Sequence, residues 1–200
     1  CGNTGAGKTA VVLWLLGLLT EDEPKQIIVL DVHARMNHWH EHGLTVVHKQ
    51  DEVIAALRAI LAELKRRKEE GICSPELITV LDEVAATRLN AYEKEDKQFI
   101  NDTLLLLGAE GRKFGIILIA MNQSKNVAAL GIDGQNRNNY FLVLLCAAAR
   151  DWAEYEWGKN DERTVHTFDT PYSCVVSGCV SDAIALHPTH GEYHKFQKKG

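Results

Sequence analysis

The chain alternates between short, largely apolar runs and longer segments in which apolar residues recur every three or four positions. The apolar runs are typical of buried parallel strands, and they are "QIIVLD", "LTVVHK", "ELITVLDE", "GIILIAMNQ" and "NYFLVLLCAAA". The helical segments are "AVVLWLLGLL", residues 51–70, residues 93–112 and "RDWAEYEW", with Gly71 a candidate cap for the second of them. This alternation predicts an α/β fold in which helices cover both faces of a mainly parallel sheet.

The sequence from residue 158 onward follows a different pattern. The stretch "RTVHTFDTPYSCVVSGCVSDAIALHP" looks like short strands joined by turns, and we expect it to extend the edge of the sheet. The final residues, "HKFQKKG", are typical of a solvated tail. We therefore predict a core over residues 1–157 and a strand-rich extension over residues 158–200 that packs on the same domain.

Composition narrows the class of protein. Two hundred residues, 46% of them hydrophobic and 24% charged, suffice for one well-buried domain. The longest apolar run, residues 9–19, is too short to span a bilayer. The five cysteines form no C-x-x-C pair, which favours reduced thiols in a cytosolic setting over a disulfide framework or a zinc site. A net charge of −5 gives no general attraction to nucleic acid, so a DNA partner would need locally positive loops.

The first nine residues, "CGNTGAGKT", contain the spacing G-x-x-x-x-G-K-T of a phosphate-binding loop. Such a loop turns backbone N–H groups toward a triphosphate, and we expect its three glycines to supply the positive φ angles that this requires. Lys8 would reach the β and γ phosphates of ATP, and the Thr9 hydroxyl would bind Mg²⁺. The predicted nucleotide contacts are Gly2, Asn3, Thr4, Gly5, Ala6, Gly7, Lys8 and Thr9. Because a β-strand precedes such loops, we expect the first, central strand to be missing from this fragment and to lie before Cys1.

Two acidic residues end the strand "LITVLDE". Hydrolysis of ATP needs a metal ion to neutralise developing charge and a group that activates the attacking water. Asp82 is the candidate Mg²⁺ ligand and Glu83 the candidate general base, because ligands of open α/β sheets bind beyond the carboxyl ends of the strands. Another strand end, "LIAMNQS", carries amides at Asn122 and Gln123, one of which would sense the γ-phosphate.

Five stretches follow one another between Gly2 and about Asn136: "GNTGAGKT", "IIVLDVHAR", "AALRAILAELKRRKEEG", "ITVLDEVA" and "EGRKFGIILIAMNQS". In this order they resemble the FtsK/HerA group of P-loop DNA-pumping ATPases. "EGRKFGI" carries much of the resemblance, since it matches the Gly-Arg-x-x-Gly of the group. After "AAARDWAEYEW" the chain lacks the Leu-Leu-Gly-x-Gly-Asp-Met pattern of chromosome-segregating members, so it looks like a relative from a plasmid, phage or mobile element.

The resemblance implies a RecA-like P-loop NTPase fold of the ASCE type and a DNA-stimulated ATPase that moves double-stranded DNA through a homo-oligomeric, usually hexameric ring. A neighbouring subunit of such a ring supplies an arginine, and the candidates are Arg112, Arg137 and Arg150, with Arg112 first because it lies in the matched motif. The group usually has glutamine at the sensor position, and either Asn122 or Gln123 fits that role. We expect a cytoplasmic ATPase, with any membrane tether or secretion partner bound through regions absent from this sequence.

Two loops are candidate DNA contacts, namely "ATRLNAYEKEDK", with Arg88, and "SKNVAALGIDGQNRN", with Lys125 and Arg137. The acidic net charge and the lack of a DNA-binding module keep a second class of function open. In this alternative the protein is an ATP-dependent scaffold or switch that docks a partner and moves no DNA.

The stretch "HARMNHWHEHG" gathers His33, His38, His40 and His42. An extended conformation would point three of them the same way, as a zinc site requires, but no acid or cysteine completes a known spacing, so titratable surface histidines are favoured. We interpret "LKRRKEEG" as a solvated, subunit-facing charge run rather than a nucleic-acid arm, since acidic residues accompany the basic ones. The helices "AVVLWLLGLL" and "DTLLLLGAEG" are interpreted as core.

Overall fold

A computed structural model of the chain describes residues 1–2, 5–22, 25–123, 139–169, 173–178 and 183–187. The described residues group into two compact units, a smaller one within residues 1–19, 123–126 and 138–196 and a larger one within residues 20–122. The predicted boundary at residue 158 stays a prediction. None of the helices in the described part of the chain combines the length and apolarity that crossing a bilayer requires.

In chain order, the described elements are α1 Lys8–Leu19, β1 Gln26–Asp31, α2 Ala34–Asn37, β2 Thr45–Val47, α3 Gln50–Glu70, β3 Leu77–Asp82, α4 Val84–Leu89, α5 Lys94–Glu110, β4 Ile116–Ala120, β5 Leu142–Leu145, α6 Ala147–Trp157, α7 Glu162–Asp169, β6 Ser173–Ser177 and β7 Ala183–Leu186, with 3₁₀ turns at Trp39–His42 and Gly111–Phe114.

The larger unit is built on a parallel sheet with the strand order β2-β1-β3-β4. β1 and β3 pair along their whole lengths, from Gln26 opposite Leu77 to Asp31 opposite Asp82. β3 is buried from Ile78 to Asp82, because it has a hydrogen-bonded neighbour on each side. The prediction of an α/β fold with a mainly parallel, helix-flanked sheet is confirmed, and parallel strands bring their carboxyl ends to one edge of the sheet.

Helix α3 shows the predicted helical spacing. Val53, Leu57, Ile60 and Leu64 are buried along one side of it, which is the burial that an amphipathic helix gains from packing on a sheet. Gly71 ends α3 in the left-handed conformation, with φ 67°, and its N–H donates to the helix. The predicted glycine cap is therefore confirmed.

The interpretation of "LKRRKEEG" as a solvated charge run is wrong for Arg67, which is only 2% exposed. Its guanidinium donates to the backbone carbonyls of Pro75 at 2.7 Å, Phe114 at 3.0 Å and Gly115 at 3.2 Å. It also donates to the Glu63 carboxylate at 2.7 Å. Burial of this charge is tolerated because its donors are paired, and the group ties the end of α3 to the turns before β3 and β4.

The motif "EGRKFGI" forms the corner that leads into β4. Gly115 has φ 68°, and its carbonyl accepts a hydrogen bond from the N–H of Leu77 at 2.8 Å. A Cβ on Gly115 would lie 1.8 Å from the carbonyl oxygen of Cys73, and one on Gly111 would lie 2.7 Å from that of Ile116. At both positions of the motif another backbone segment lies too close for a side chain, and this explains why Gly111 and Gly115 are glycines.

The smaller unit contains the antiparallel sheet β5-β6-β7 and helices α1, α6 and α7. Its core packs Ala149 and Trp152 of α6 against Leu144 of β5 and Val175 of β6. The backbone of Cys1 runs beside β5, since its carbonyl accepts a hydrogen bond from Leu145 N–H at 2.9 Å. We expected this stretch to extend the parallel sheet, with β5 as one of its strands. That expectation is wrong for the described strands, since β5, β6 and β7 form a separate sheet in which β6 pairs antiparallel with both neighbours.

Residues 162–169 form helix α7, so the expectation of strands throughout the C-terminal stretch is wrong there. Thr164 and Thr167 are buried three positions apart on this helix, and the Thr164 hydroxyl donates to the carbonyl of Ala153 at 3.1 Å. The β-branched residues suggested a strand, but their tertiary contacts stabilise a helix.

Helix α1 is less buried than predicted. Val11, Val12 and Leu16 are buried, whereas Leu18 is 50% exposed. In α5, Leu104 and Leu107 are buried and Leu106 is 39% exposed. The interpretation of these two helices as core is therefore correct for the buried side of each helix and wrong for its exposed residues.

The described cysteines carry free thiols: Cys1, Cys73, Cys146 and Cys174. Burial raises the pKa of the Cys174 thiol, which keeps it protonated near neutral pH. Cys179 lies outside the described residues.

Candidate functional site

The phosphate loop leads directly into α1 in the smaller unit. Gly5 and Gly7 have φ angles of 80° and 75°, as predicted for a loop that turns its N–H groups inward. Gly2 does not have a positive φ, so the expected reason for this glycine is wrong. A Cβ on Gly2 would lie 3.0 Å from the Cβ atoms of Ala6 and Leu145, so close packing favours glycine there.

The side chain of Lys8 folds back over the loop. Its Nζ donates to the carbonyl of Gly2 at 2.9 Å, so the ammonium group lies beside the loop backbone. Thr9 is half-buried in the first turn of α1. Asn3 and Thr4, the remaining predicted contacts of this loop, lie outside the described residues.

In the larger unit, two carboxylates meet at the ends of neighbouring strands. Asp31 and Asp82 are partners in register and are 0% and 4% exposed. The amide of Asn37 donates to Asp31 Oδ2 at 2.9 Å and to Asp82 Oδ2 at 3.3 Å. The indole N–H of Trp39 also donates to Asp82 Oδ2, at 2.9 Å, and the backbone N–H of His33 donates to Asp31 Oδ1 at 2.7 Å. These donors hold Asp82 in one orientation and offset the cost of burying its charge.

The sequence contained only part of the signal for this arrangement. "IIVLDVHAR" marked Asp31, but Asn37 and Trp39 lie in the histidine-rich stretch, which folds as helical turns rather than as an extended segment. The alternation that would align three histidines therefore does not occur. Asn37 and Trp39 are the residues of this stretch that donate to the candidate metal ligand, and Trp39 is 0% exposed.

We predict that a Trp39→Phe variant loses about 2 kcal/mol in the free energy of unfolding, because it keeps most of the ring but removes a hydrogen bond to a buried carboxylate. Urea unfolding monitored by circular dichroism measures this loss. A Trp157→Phe variant is the control, since Trp157 is half-buried and stacks edge-on against Trp152. Equal losses in the two variants would show that the indole N–H of Trp39 contributes nothing particular.

Glu83 has an unusual backbone conformation. Its φ and ψ are 59° and 68°, in the left-handed region, which costs a residue with a side chain about 1–2 kcal/mol. The conformation is held by its neighbours, since the carbonyl of Glu83 accepts hydrogen bonds from the N–H and the hydroxyl of Thr87. This left-handed residue is the single link between the end of β3 and the start of α4, so the backbone strain lies at the candidate base itself.

The two candidate sensors differ in burial. Asn122 is 1% exposed, whereas Gln123 is exposed. The preceding residue, Met121, links two strand ends, because its N–H donates to the Leu81 carbonyl and its carbonyl accepts from the N–H of Val84. Both amides remain candidates for the sensor.

The basic candidates also differ in their surroundings. Arg112 is exposed, and the guanidinium of Arg150 lies 5.6 Å from the ring centroid of Phe168. Arg88, in the candidate DNA loop, is half-buried. Lys125 and Arg137 lie outside the described residues.

The donor atoms available to a metal ion fit Mg²⁺. Magnesium prefers hard oxygen ligands and commonly takes one or two from the protein and the rest from water and substrate phosphates. The carboxylate of Asp82 and the hydroxyl of Thr9 are such oxygens. Both residues are therefore chemically suited to the role that the sequence predicts.

No protein-family model matches the chain, and no curated protein does either. Solved structures do match. The pCW3 conjugation coupling protein TcpA, in its monomer form with ATPγS, aligns with a TM-score of 0.68 at 17% identity over 98% of this chain and 59% of that chain. The cytoplasmic domain of the Thermomonospora curvata type VII secretion ATPase EccC aligns with a TM-score of 0.64 at 16% identity over 98% of this chain and 26% of that chain.

A third match covers most of both chains. The genome packaging NTPase B204 from Sulfolobus turreted icosahedral virus 2, in complex with ATPγS, aligns with a TM-score of 0.51 at 12% identity over 93% of each chain. The chain thus spans less than two thirds of the TcpA chain, about a quarter of the EccC chain and nearly all of B204. At these identities the likeness concerns the fold, and the chain has the P-loop NTPase fold that its resemblance to the FtsK/HerA group implies.

Proposed function

We propose that the chain is the ATP-hydrolysing motor domain of a DNA translocase of the FtsK/HerA type. The observation that carries the proposal is the phosphate loop, in which two positive-φ glycines precede a helix that begins at Lys8. The N–H groups and the dipole at such a helix start favour a bound anion. The ATPγS complexes of TcpA and B204 show that proteins of this fold bind an ATP analogue.

Each candidate residue then has a role in the proposed reaction. Lys8 binds the phosphates of ATP, and its ammonium group exchanges the Gly2 carbonyl for them. Thr9 and Asp82 would hold Mg²⁺, which neutralises charge on the phosphates when bound. Glu83 accepts a proton from the attacking water, and Asn122 or Gln123 senses the γ-phosphate.

Double-stranded DNA is the cargo that we propose. Among the proteins of this fold, TcpA is a conjugation coupling protein and B204 a genome packaging NTPase, whereas EccC is a secretion ATPase. A plasmid, phage or other mobile element is the origin we propose, in keeping with the first two. Arg88, Lys125 and Arg137 are the proposed phosphate contacts, and repetition around a ring would compensate for a net charge of −5.

We further propose a homo-oligomeric, hexameric ring located in the cytoplasm. Arg112 remains the first candidate for the arginine that a neighbouring subunit supplies, because it is exposed, while Arg150 lies against an aromatic ring. Arg137 stays a candidate outside the described residues.

The test of the proposed function is the rate of ATP hydrolysis with and without long double-stranded DNA. We expect the rate of the protein to rise severalfold on addition of DNA. The rate that remains in a Lys8→Ala variant gives the background from contaminating ATPases. A slow, Lys8-dependent rate that ignores DNA would instead support the ATP-dependent scaffold or switch, and the next search would be for a protein partner.

A further inference from the structure

His187 lies at the end of β7 and contacts the phosphate loop from 180 residues away in the sequence. Its Nε2 lies 3.2 Å from the carbonyl oxygen of Gly7, and the side chain is 4% exposed. A Cβ placed on Gly7 would lie 2.5 Å from Nε2 and 2.6 Å from Cε1 of the imidazole. The ring is therefore packed directly against the last glycine of the loop.

The Gly7 carbonyl has two donors. The N–H of Val11 donates to it at 3.1 Å as the first helical hydrogen bond of α1. A carbonyl oxygen can only accept, so the imidazole donates to it through a protonated Nε2. With both lone pairs engaged, the peptide plane between Gly7 and Lys8 has little freedom to rotate.

The orientation of this peptide matters for anion binding. In a planar trans peptide the N–H points opposite to the carbonyl. Because the Gly7 carbonyl points into the helix, the N–H of Lys8 points out of the helix start, where an anion binds. Fixing the carbonyl therefore also fixes one of the N–H groups that would contact a phosphate.

The packing around β7 holds His187 in place against Gly7. Ala185 of β7 and Ala6 of the loop pack against the same buried cluster, which is formed by Val11, Leu145 and Cys174. β7 is also paired with β6 along its length, so the position of His187 is set by the sheet.

We propose that His187 is a positioning residue that pre-orients the phosphate loop for ATP. The proposal rests on the proposed function, since it names a second determinant of the same ATP site. His187 acts through the Gly7–Lys8 peptide and touches neither the phosphates nor the attacking water. Its loss should therefore weaken binding of ATP and leave the hydrolysis step itself unaffected.

Two amide substitutions, His187→Gln and His187→Asn, test the role of Nε2 because their side chains differ in length. In His187→Gln the side-chain amide nitrogen takes the place of Nε2, whereas in His187→Asn it takes the place of Nδ1 and falls short of Gly7. We expect the dissociation constant of Mg²⁺–ATPγS, measured by titration calorimetry, to rise about 10-fold in His187→Asn and in His187→Leu, the effect of one lost hydrogen bond. We expect His187→Gln to stay within about twofold of the wild type and kcat to change by less than about twofold in all variants.

The control variant is His48→Asn, since His48 is exposed at the end of β2. It should bind ATPγS as the wild type does. If the wild type binds ATPγS and the Asn and Gln variants of His187 bind it equally well, the positioning role is wrong while the ATP site stands. If the wild type does not bind ATPγS, the proposed function and this inference both fail.

Discussion

Replacing Glu83 by glutamine is expected to lower the rate of ATP hydrolysis at least about 100-fold while ATP still binds, the loss that removal of a general base produces. The amide has nearly the same shape as the carboxylate but cannot accept the proton of the attacking water. Because the substitution keeps a side chain of similar size on a residue with φ 59°, the backbone strain at this position stays the same. The fold should therefore be unchanged, and the loss should appear in kcat.

The measurement combines steady-state hydrolysis with calorimetric binding of ATPγS. Glu93→Gln is the matched control, since Glu93 is exposed at the start of α5 and its side chain makes no capping hydrogen bond. Lys8→Ala provides the contrast, because it should lose ATP binding together with hydrolysis. A Glu83→Gln protein that hydrolyses ATP at the wild-type rate would remove Glu83 from the role of base.

Replacing Gly115 by alanine is expected to cost about 3 kcal/mol or more in the free energy of unfolding, the effect of severe overpacking in a rigid environment. The added Cβ would lie 1.8 Å from the carbonyl oxygen of Cys73, so one of the two backbone segments must move. Movement would strain the hydrogen bonds that the Gly115 carbonyl accepts from Leu77 and Arg67. The corner between α3, β3 and β4 would then be distorted.

Gly71→Ala separates the steric clash from the cost of the backbone conformation. Gly71 has φ 67°, almost the same as the 68° of Gly115, but a Cβ on it would meet no atom within 4 Å. We therefore expect Gly71→Ala to cost only about 1 kcal/mol, the price of an L-residue in the left-handed region. Urea unfolding of the two variants and the wild type measures both losses, and similar losses at the two positions would contradict the clash.

Structural features that depend only on residues close together in the sequence could be predicted from the sequence. The apolar runs located β1, β3 and β4, and the helical spacing of Val53, Leu57 and Ile60 located α3. Gly71 was identified as a helix cap because the left-handed conformation is a local property of the chain. Residues 162–169 were misinterpreted because their threonines favour a strand locally and a helix only through burial against α6.

The candidate site divides in the same way. The spacing of the phosphate loop and the acidic pair after β3 are local patterns, and the sequence alone determined that Lys8, Asp82 and Glu83 are the residues to test. The hydrogen bond of Trp39 to Asp82 joins positions 43 residues apart, and that of His187 to Gly7 joins positions 180 apart. Only the tertiary structure decided these contacts, because strand order and register choose which distant side chains meet, and no spacing along the chain records that choice.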